Sequence, residues 1–261
     1  MKNAPSKDGF GKSDRSRAPP EIVLCAGLKS SGSTWLYNVV IQILENAAGR
    51  RRGGRGVSAF YADRVDSVPR DAGDAAYVVI KTHIPSSGLL FLARYLRAKV
   101  VVTVREPRDA IASLSQRFDH SFEGSLDEVS AGAARMVALA GSRSMTLRYE
   151  DRFYQDPRTI NEVAAFLGVR LTGRVANRIF QSLTREAVDR RIGLLRRKGV
   201  FGKHPDSDSF DPRTHWHPGH IGNGLIGKFR GVLSPAQAAA VLGATAKYRR
   251  RFGYRGVRQK T

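Results

Sequence analysis

Apolar residues in this chain gather into short continuous runs, separated by longer stretches in which they recur every three or four positions. EIVLCAG (21–27), AYVVIKT (76–82) and AKVVVTVR (98–105) are near-continuous runs, and SMTLRYE (144–150) is a weaker fourth. Runs of that length and β-branched content read as strands buried on both faces, the habit of parallel sheets covered by helices. Helical periodicity lies between and after them, over 34–47, 88–96, 107–118, 126–141 and 158–167. Alternating strand and helix predict an α/β fold, a three-layer sandwich with a mainly parallel central sheet.

Two helix starts are marked by their chemistry. Asp156-Pro157 sets a capping carboxylate before a proline at the first helical position, with Gly168 at the far end, and Ser234-Pro235-x-Gln237 has the form of a capping box. Residues 184–225 are poor in apolar side chains and rich in Arg, Gly, His and Pro. Too long for an ordinary connection, they read as a mobile cover over a site. No internal repeat is visible, so one domain is expected over 21–254. The polar, Gly/Pro/Ser-rich residues 1–20 read as a disordered tail, and 255–261 as a basic one.

Composition narrows the picture. A chain of 261 residues that is 41% hydrophobic can bury the core of one large α/β domain or of two small ones. Its single cysteine, Cys25, excludes an intramolecular disulfide and any multi-cysteine metal site, and its place in a core strand makes it a small buried hydrophobe. The first residues lack the apolar centre of a secretory signal, and no apolar run approaches the ~20 residues that span a bilayer. The cytoplasm is the simplest compartment. Forty-four Lys+Arg against 23 Asp+Glu leave a formal charge of +21, which suits an anionic partner: nucleic acid, anionic lipid or a phosphorylated small molecule. Basic clusters stand at 49–56, 190–199 and 247–260, none interleaved with stacking aromatics as in a single-strand binder.

The candidate chemistry starts where the first strand gives way to a helix. Gly27–Thr34 reads G-x-x-x-x-G-S-T, one residue away from the nucleotide-phosphate loop G-x-x-x-x-G-K-[ST]. Gly27 and Gly32 permit a tight turn whose backbone N–H groups, with the positive end of the following helix, face an anion. Ser31, Ser33 and Thr34 add hydroxyl donors. The lysine that would meet the β- and γ-phosphates is replaced by Ser33. The strand KVVVTV runs into Arg105, where a magnesium-holding aspartate is often found, and Asp109, four residues on, is the nearest aspartate. Both features point away from magnesium-nucleotide chemistry, toward an anion balanced by arginine and lysine.

Four stretches, in order over about 21–254, resemble the motifs of the sulfotransferases that use 3′-phosphoadenosine 5′-phosphosulfate (PAPS). KSSGSTW (29–35) is similar to their 5′-phosphosulfate loop, P-K-S-G-T-T-W; KTHIP (81–85) to the K-T-H-L-P of cytosolic members; VREPRDAIAS (104–113) to the 3′-phosphate motif; and RYEDRFYQDP with AAFLGV to the Tyr-Glu-Asp segment and its helix. The resemblance implies a nucleotide-phosphate-loop fold like that of P-loop NTPases. It also implies a transferase that moves a sulfuryl group from PAPS, as co-substrate and without a metal, to a hydroxyl or amine of a small-molecule or glycan acceptor. Lys29, Ser30, Ser31, Gly32, Ser33, Thr34 and Trp35 would hold the 5′ end. Arg105 and Ser113 would hold the 3′-phosphate, and Tyr149 the adenine or its phosphate. His83 would be the base, with Lys29 and Lys81 stabilising charge on the sulfuryl group.

The bottom-up chemistry runs parallel. A 3′-phosphate demands a second anion site, which Arg105 at a strand end and Ser113 two helical turns on can form together. An imidazole, titrating near ~6.5, suits removal of a hydroxyl proton, and the carboxyl ends of parallel strands open on the ligand crevice. Two departures stand out. Counting back from Trp35, the family's loop lysine falls on Ser30, with Lys29 where a proline is usual. The late R-K-G-x-x-G pattern survives only in GHIGNGLIGKFR (219–230), so Asn223 and Gly224, with His220 or Lys228, would take its place. Two rivals follow from the same residues: another metal-free nucleotide-binding enzyme or a small-molecule kinase with a rebuilt loop, and a non-catalytic nucleic-acid-binding protein, which only the charge motivates. The acceptor and the oligomeric state are not encoded in any motif.

Overall fold

The computed structural model describes residues 18–49, 56–118, 120–141, 143–201, 209–219 and 221–254. Residues 1–17 of the tail expected over 1–20, the tail expected at 255–261, and His220 lie outside them. Among the described residues five strands make one parallel sheet: β1 (Glu21–Gly27), β2 (Val57–Tyr61), β3 (Tyr77–Thr82), β4 (Lys99–Val104) and β5 (Ser144–Arg148), in the order β2-β3-β1-β4-β5. β1 pairs in register with both neighbours, Cys25 opposite Lys81 of β3 and Val101 of β4.

The nearly unbroken apolar runs are explained by two cores. Val23, Cys25, Val79 and Val101 face one side of the sheet, and Leu24, Ala26, Val78, Ile80, Val100 and Val102 the other. The first side is covered by α1 (Ser33–Ala48) and the second by α2 (Ser87–Tyr95), α3 (Pro107–Phe118) and α4 (Phe122–Leu139). α5 (Arg158–Leu167), α6 (Gly173–Ser182) and α7 (Arg185–Arg197) complete the first layer, and α8 (Pro235–Ala244) with α9 (Ala246–Arg251) the second.

Local signals explain the helix ends. Asp156 accepts from the Arg158 N–H at 2.9 Å and Gly168 stands at the C-cap of α5, while Ser234 and Gln237 close both arms of the capping box on α8. Two expectations need correction. β2 lies at the sheet edge with its residues only partly buried, which removes the continuous apolar signature of the inner strands. The segment 184–225 is not an irregular cover throughout, because 185–197 is helical. Val188, Ile192 and Leu195, spaced i, i+4, i+7, are buried there. At roughly 1.5–3 kcal/mol per buried side chain, three are enough to seat a helix whose other positions are mostly charged.

Candidate active site

The strand order reverses direction at β1. The chain runs from β1 to β2 and β3 on one side, then crosses to β4 and β5 on the other. Crevices at such a switch point, outside the carboxyl ends of the strands, are where open α/β sheets take ligands. The Gly27–Thr34 loop lies there. A Cβ on Gly27 would stand 2.1 Å from Thr103 Oγ1 and 2.6 Å from Ser33 Cβ, so no larger residue fits. Gly32 caps α1 at φ 83°, the left-handed region that glycine enters without strain. Ser30 adopts φ 62°, an uncommon choice for a side-chain-bearing residue and a local sign of a strained functional turn.

Within the loop the hydroxyls divide. Ser31 is fully buried and bonds Leu28 O at 2.5 Å and Thr103 Oγ1 at 2.7 Å. It ties the loop to β4 and is not among the cleft-lining residues. The expectation that its hydroxyl serves a ligand is corrected accordingly: the sheet uses it. Ser30, Gly32, Ser33, Thr34 and Trp35 do line the cleft, and the Ser30 hydroxyl is buried without a partner. Trp35 is locked by its indole N–H to Leu183 O at 3.0 Å and packs on Phe153. Lys29 also lines the cleft, but its Nζ lies 2.5 Å from Glu128 Oε1 on α4, so its charge is shared with a carboxylate. On the other carboxyl oxygen His120 stands at 3.8 Å.

At the end of β3 stand Lys81 and His83. His83 shares a hydrogen with the Gly27 carbonyl through Nδ1 at 2.7 Å. A carbonyl can only accept, so Nδ1 carries the proton and the other ring nitrogen, Nε2, is the basic one. Burial, with help from Lys81 and Lys29, pulls the His83 pKa down to about 3. Lys81 is 6% exposed and has no ion-pair partner among the described residues. Burial foremost, and Lys29 in addition, lower its pKa to about 8. Two residues outside every sequence motif complete this end. His215, on a backbone at φ 57°, stacks on Phe210, meets Tyr37 edge-to-face and has a buried Nε2 with no hydrogen-bond partner among the described residues. Tyr61, at the tip of β2, lies beside His83 and beneath Lys81.

The ends of β4 and β5 form the other half. Arg105 is 3% exposed, and it donates to Ser30 O at 2.8 Å and Leu225 O at 3.0 Å while its guanidinium lies 4.1 Å over the Tyr149 ring. Its Nε is buried and unpartnered. Ser113 lines the same cleft from α3, and so does Arg117 one turn further on, held by Gly219 O at 2.6 Å. The i, i+4 spacing of Ser113 and Arg117 was the available signal for that second arginine. Asn223 accepts the Leu225 N–H at 3.2 Å, and Gly224 adopts φ 72°; both line the cleft with Lys228. Burial, then Arg105 and Arg117, lower the Lys228 pKa to about 8. Asp109, four residues past Arg105, is fully buried, and both its oxygens accept backbone N–H groups, from Gly227 at 2.6 Å and Phe229 at 3.0 Å. It fastens the 224–229 turn over the cleft.

These parts enclose one cleft of about 1050 Å³. Among the described residues, Lys29, Lys81, Arg105, Arg117, Arg152, Arg185 and Lys228 line it against a single carboxylate, Glu186, with Phe180, Leu183, Val188, Phe210, Trp216 and Ile221 in its apolar walls. Among the described residues no helix is long and apolar enough to cross a membrane.

Residues 20–133 match the family model described as a sulfotransferase domain. No curated protein sequence matches the chain. Among solved structures, mouse sulfotransferase SULT7A1 complexed with PAP is similar with a TM-score of 0.61 at 12% identity, over 90% of this chain and 85% of that one. Retinol dehydratase in complex with androsterone and inactive cofactor PAP gives 0.57 at 17%, over 89% and 82%. The complex of retinol dehydratase with retinol and PAP gives 0.56 at 15%, again over 89% and 82%. At these identities the likeness establishes the fold.

Proposed function

We propose that this chain, whose residues 20–133 match the sulfotransferase-domain model, transfers a sulfuryl group from PAPS to a hydroxyl or amine of an acceptor, with His83 as general base. The observation that carries this reading is the bond from His83 Nδ1 to the carbonyl of Gly27, 2.7 Å long, which locks a base of fixed tautomer onto the first residue of the anion loop.

The residues present fit the co-substrate. The backbone amides and the Ser33 and Thr34 hydroxyls at the start of α1 suit its 5′ end. Arg105, Ser113 and Arg117 suit a 3′-phosphate. Arg105 is anchored on the backbone carbonyls of Ser30 and Leu225, and Arg117 donates to that of Gly219, so both guanidinium groups are positioned before a ligand arrives. The buried and unpartnered Arg105 Nε and Ser30 hydroxyl are polar groups for which a bound anion would provide partners. Tyr149 backs the guanidinium of Arg105.

PAPS supplies the activated sulfuryl group. The chain's contribution is proton handling, positioning and charge. His83 Nε2 takes the acceptor proton as the acceptor oxygen or nitrogen bonds to sulfur and the sulfur–oxygen bond to the 5′-phosphate breaks. The neutral imidazole required for this is the form that burial and the two lysines enforce. Lys81, buried beside the base with no ion-pair partner among the described residues, stabilises charge on the transferring group, and Lys29, shared with Glu128, contributes less. The apolar walls and the base at one end suit a small-molecule acceptor, which is the reading adopted here over a glycan. The test is PAP formation from PAPS across a panel of phenol, alcohol and amine acceptors. The reading expects acceptor-dependent PAP release that is lost in His83→Ala; release that is unchanged in that variant would contradict it.

A further inference from the structure

We propose that Asp63 is the positioning residue of the base, holding the main chain of His83 while Gly27 holds its ring; the proposal rests on the reading of His83 given above. Asp63 belongs to no motif. It stands two residues past the tip of β2, where the Ala62 N–H still bonds Lys81 O at 3.0 Å and brings the chain to the carboxyl end of β3. There Oδ1 receives the Thr82 hydroxyl at 2.5 Å, the His83 N–H at 3.0 Å and the Ile84 N–H at 3.0 Å, while Oδ2 receives the Tyr61 hydroxyl. The Asp63 carbonyl accepts the Ser86 N–H at 2.7 Å, and Ser86 in turn caps α2. One residue therefore fixes the whole passage from β3 to α2 on which the base rides.

Four donors on one carboxylate nearly exhaust its accepting capacity and leave it little for solvent. Burial alone would raise the Asp63 pKa, yet the bonds from Thr82, Tyr61, Ile84 and His83 outweigh it and keep the group ionised. The carboxylate reaches the backbone of His83 and not its imidazole, so this is not a relay through the ring. With the main chain pinned by Asp63 and Nδ1 pinned by Gly27 O, the direction of Nε2 is determined. The charges around the ring are Lys81 and Lys29, which oppose an imidazolium, and Asp63, which favours it; Glu128 offsets Lys29, and Tyr61 stands 5.9 Å away. Asp63 is thus the fixed negative charge beside the base when it takes up its proton.

The test compares wild type, Asp63→Asn and Asp63→Ala by kcat, PAP affinity and the ¹⁵N shifts of the His83 ring at neutral pH. Asn keeps an oxygen for the His83 and Ile84 amides, so it guards against simple misfolding. The expected result is unchanged PAP affinity, a kcat lower by roughly tenfold in Asp63→Asn and on the order of 10²-fold in Asp63→Ala, and a His83 ring that leaves the Nδ1–H tautomer in Asp63→Ala. If His83→Ala itself turns over normally, the base reading falls, while the tautomer readout still decides whether Asp63 positions the ring. An unchanged tautomer with kcat unchanged per folded molecule in both variants, whatever the melting temperature does, would overturn the proposal.

Discussion

The two ends of the cleft carry similar charge but hold it differently. At the β4–β5 end Arg105 and Arg117 donate to the carbonyls of Ser30, Leu225 and Gly219, which fix their geometry. At the β3 end Lys29 pairs with Glu128, whereas Lys81 is buried with no ion-pair partner among the described residues, its pKa drawn down to about 8. A carbonyl anchor suits a permanent phosphate, because the guanidinium is in place before the ligand arrives. A lone buried ammonium is costly until an anion comes, which suits charge that appears during reaction. On this account the first end binds and the second reacts.

Substitutions can break that division, and the largest effects belong to the reacting end. His83→Ala should lower kcat on the order of 10²–10⁴-fold, the share of a positioned acid–base group, with PAP affinity nearly intact; steady-state kinetics and calorimetry check both halves. Lys81→Met should lower kcat on the order of 10²-fold, while Lys29→Ala should cost less than about tenfold. Equal losses in the two lysine variants would show that the pairing with Glu128 does not discount Lys29. At the binding end, Arg105→Ala should weaken PAP roughly 10- to 100-fold, the range of a charge-assisted bond, and adenosine 5′-phosphosulfate far less. Equal losses for the two ligands would remove Arg105 from the 3′-phosphate.

What the sequence disclosed follows the same division between local and distant causes. The inner strands were legible because both faces are buried, and the caps of α5 and α8 because they lie within four residues of their helix starts. Gly27–Trp35, Arg105 and Ser113 were legible because a strand-to-helix turn keeps its spacing in any protein. The edge strand β2, half exposed, lacked the apolar run, and α6 and α7 hide few buried positions among their arginines. Asp63, Tyr61 and His215 could not be read, because their roles exist only once β2 is laid beside β3 and the 209–217 segment is folded over α1. The pairing of Lys29 with Glu128 spans 99 residues and was equally out of reach.

Smaller effects sharpen the electrostatic side. Lys81 and Lys228 both have pKa values lowered to about 8 in the free protein. A bound polyanion raises them, so binding should take up protons and PAP affinity should fall as pH rises through about 8. Calorimetry at pH near 8.5 in two buffers of different ionisation enthalpy reads the uptake, and equal heats in both buffers would refute it. In acid, burial lowers His83 and His215 to about 3 and His217 to about 4, against an unfolded value near ~6.5. The unfolded chain then binds more protons, so the stability is complete above about 6.5 and is lost as pH falls toward about 4. Denaturant midpoints across that window should drop, with a shallower slope in His217→Gln.

The most direct test of the central claim is thermal stability with PAP, 5′-AMP, ATP with magnesium, and a DNA duplex side by side. A saturable rise in melting temperature is expected with PAP, far smaller with 5′-AMP, which lacks the 3′-phosphate, and absent in Arg105→Ala. A rise of equal size with 5′-AMP or ATP-magnesium, or stabilisation by DNA alone, would contradict that claim.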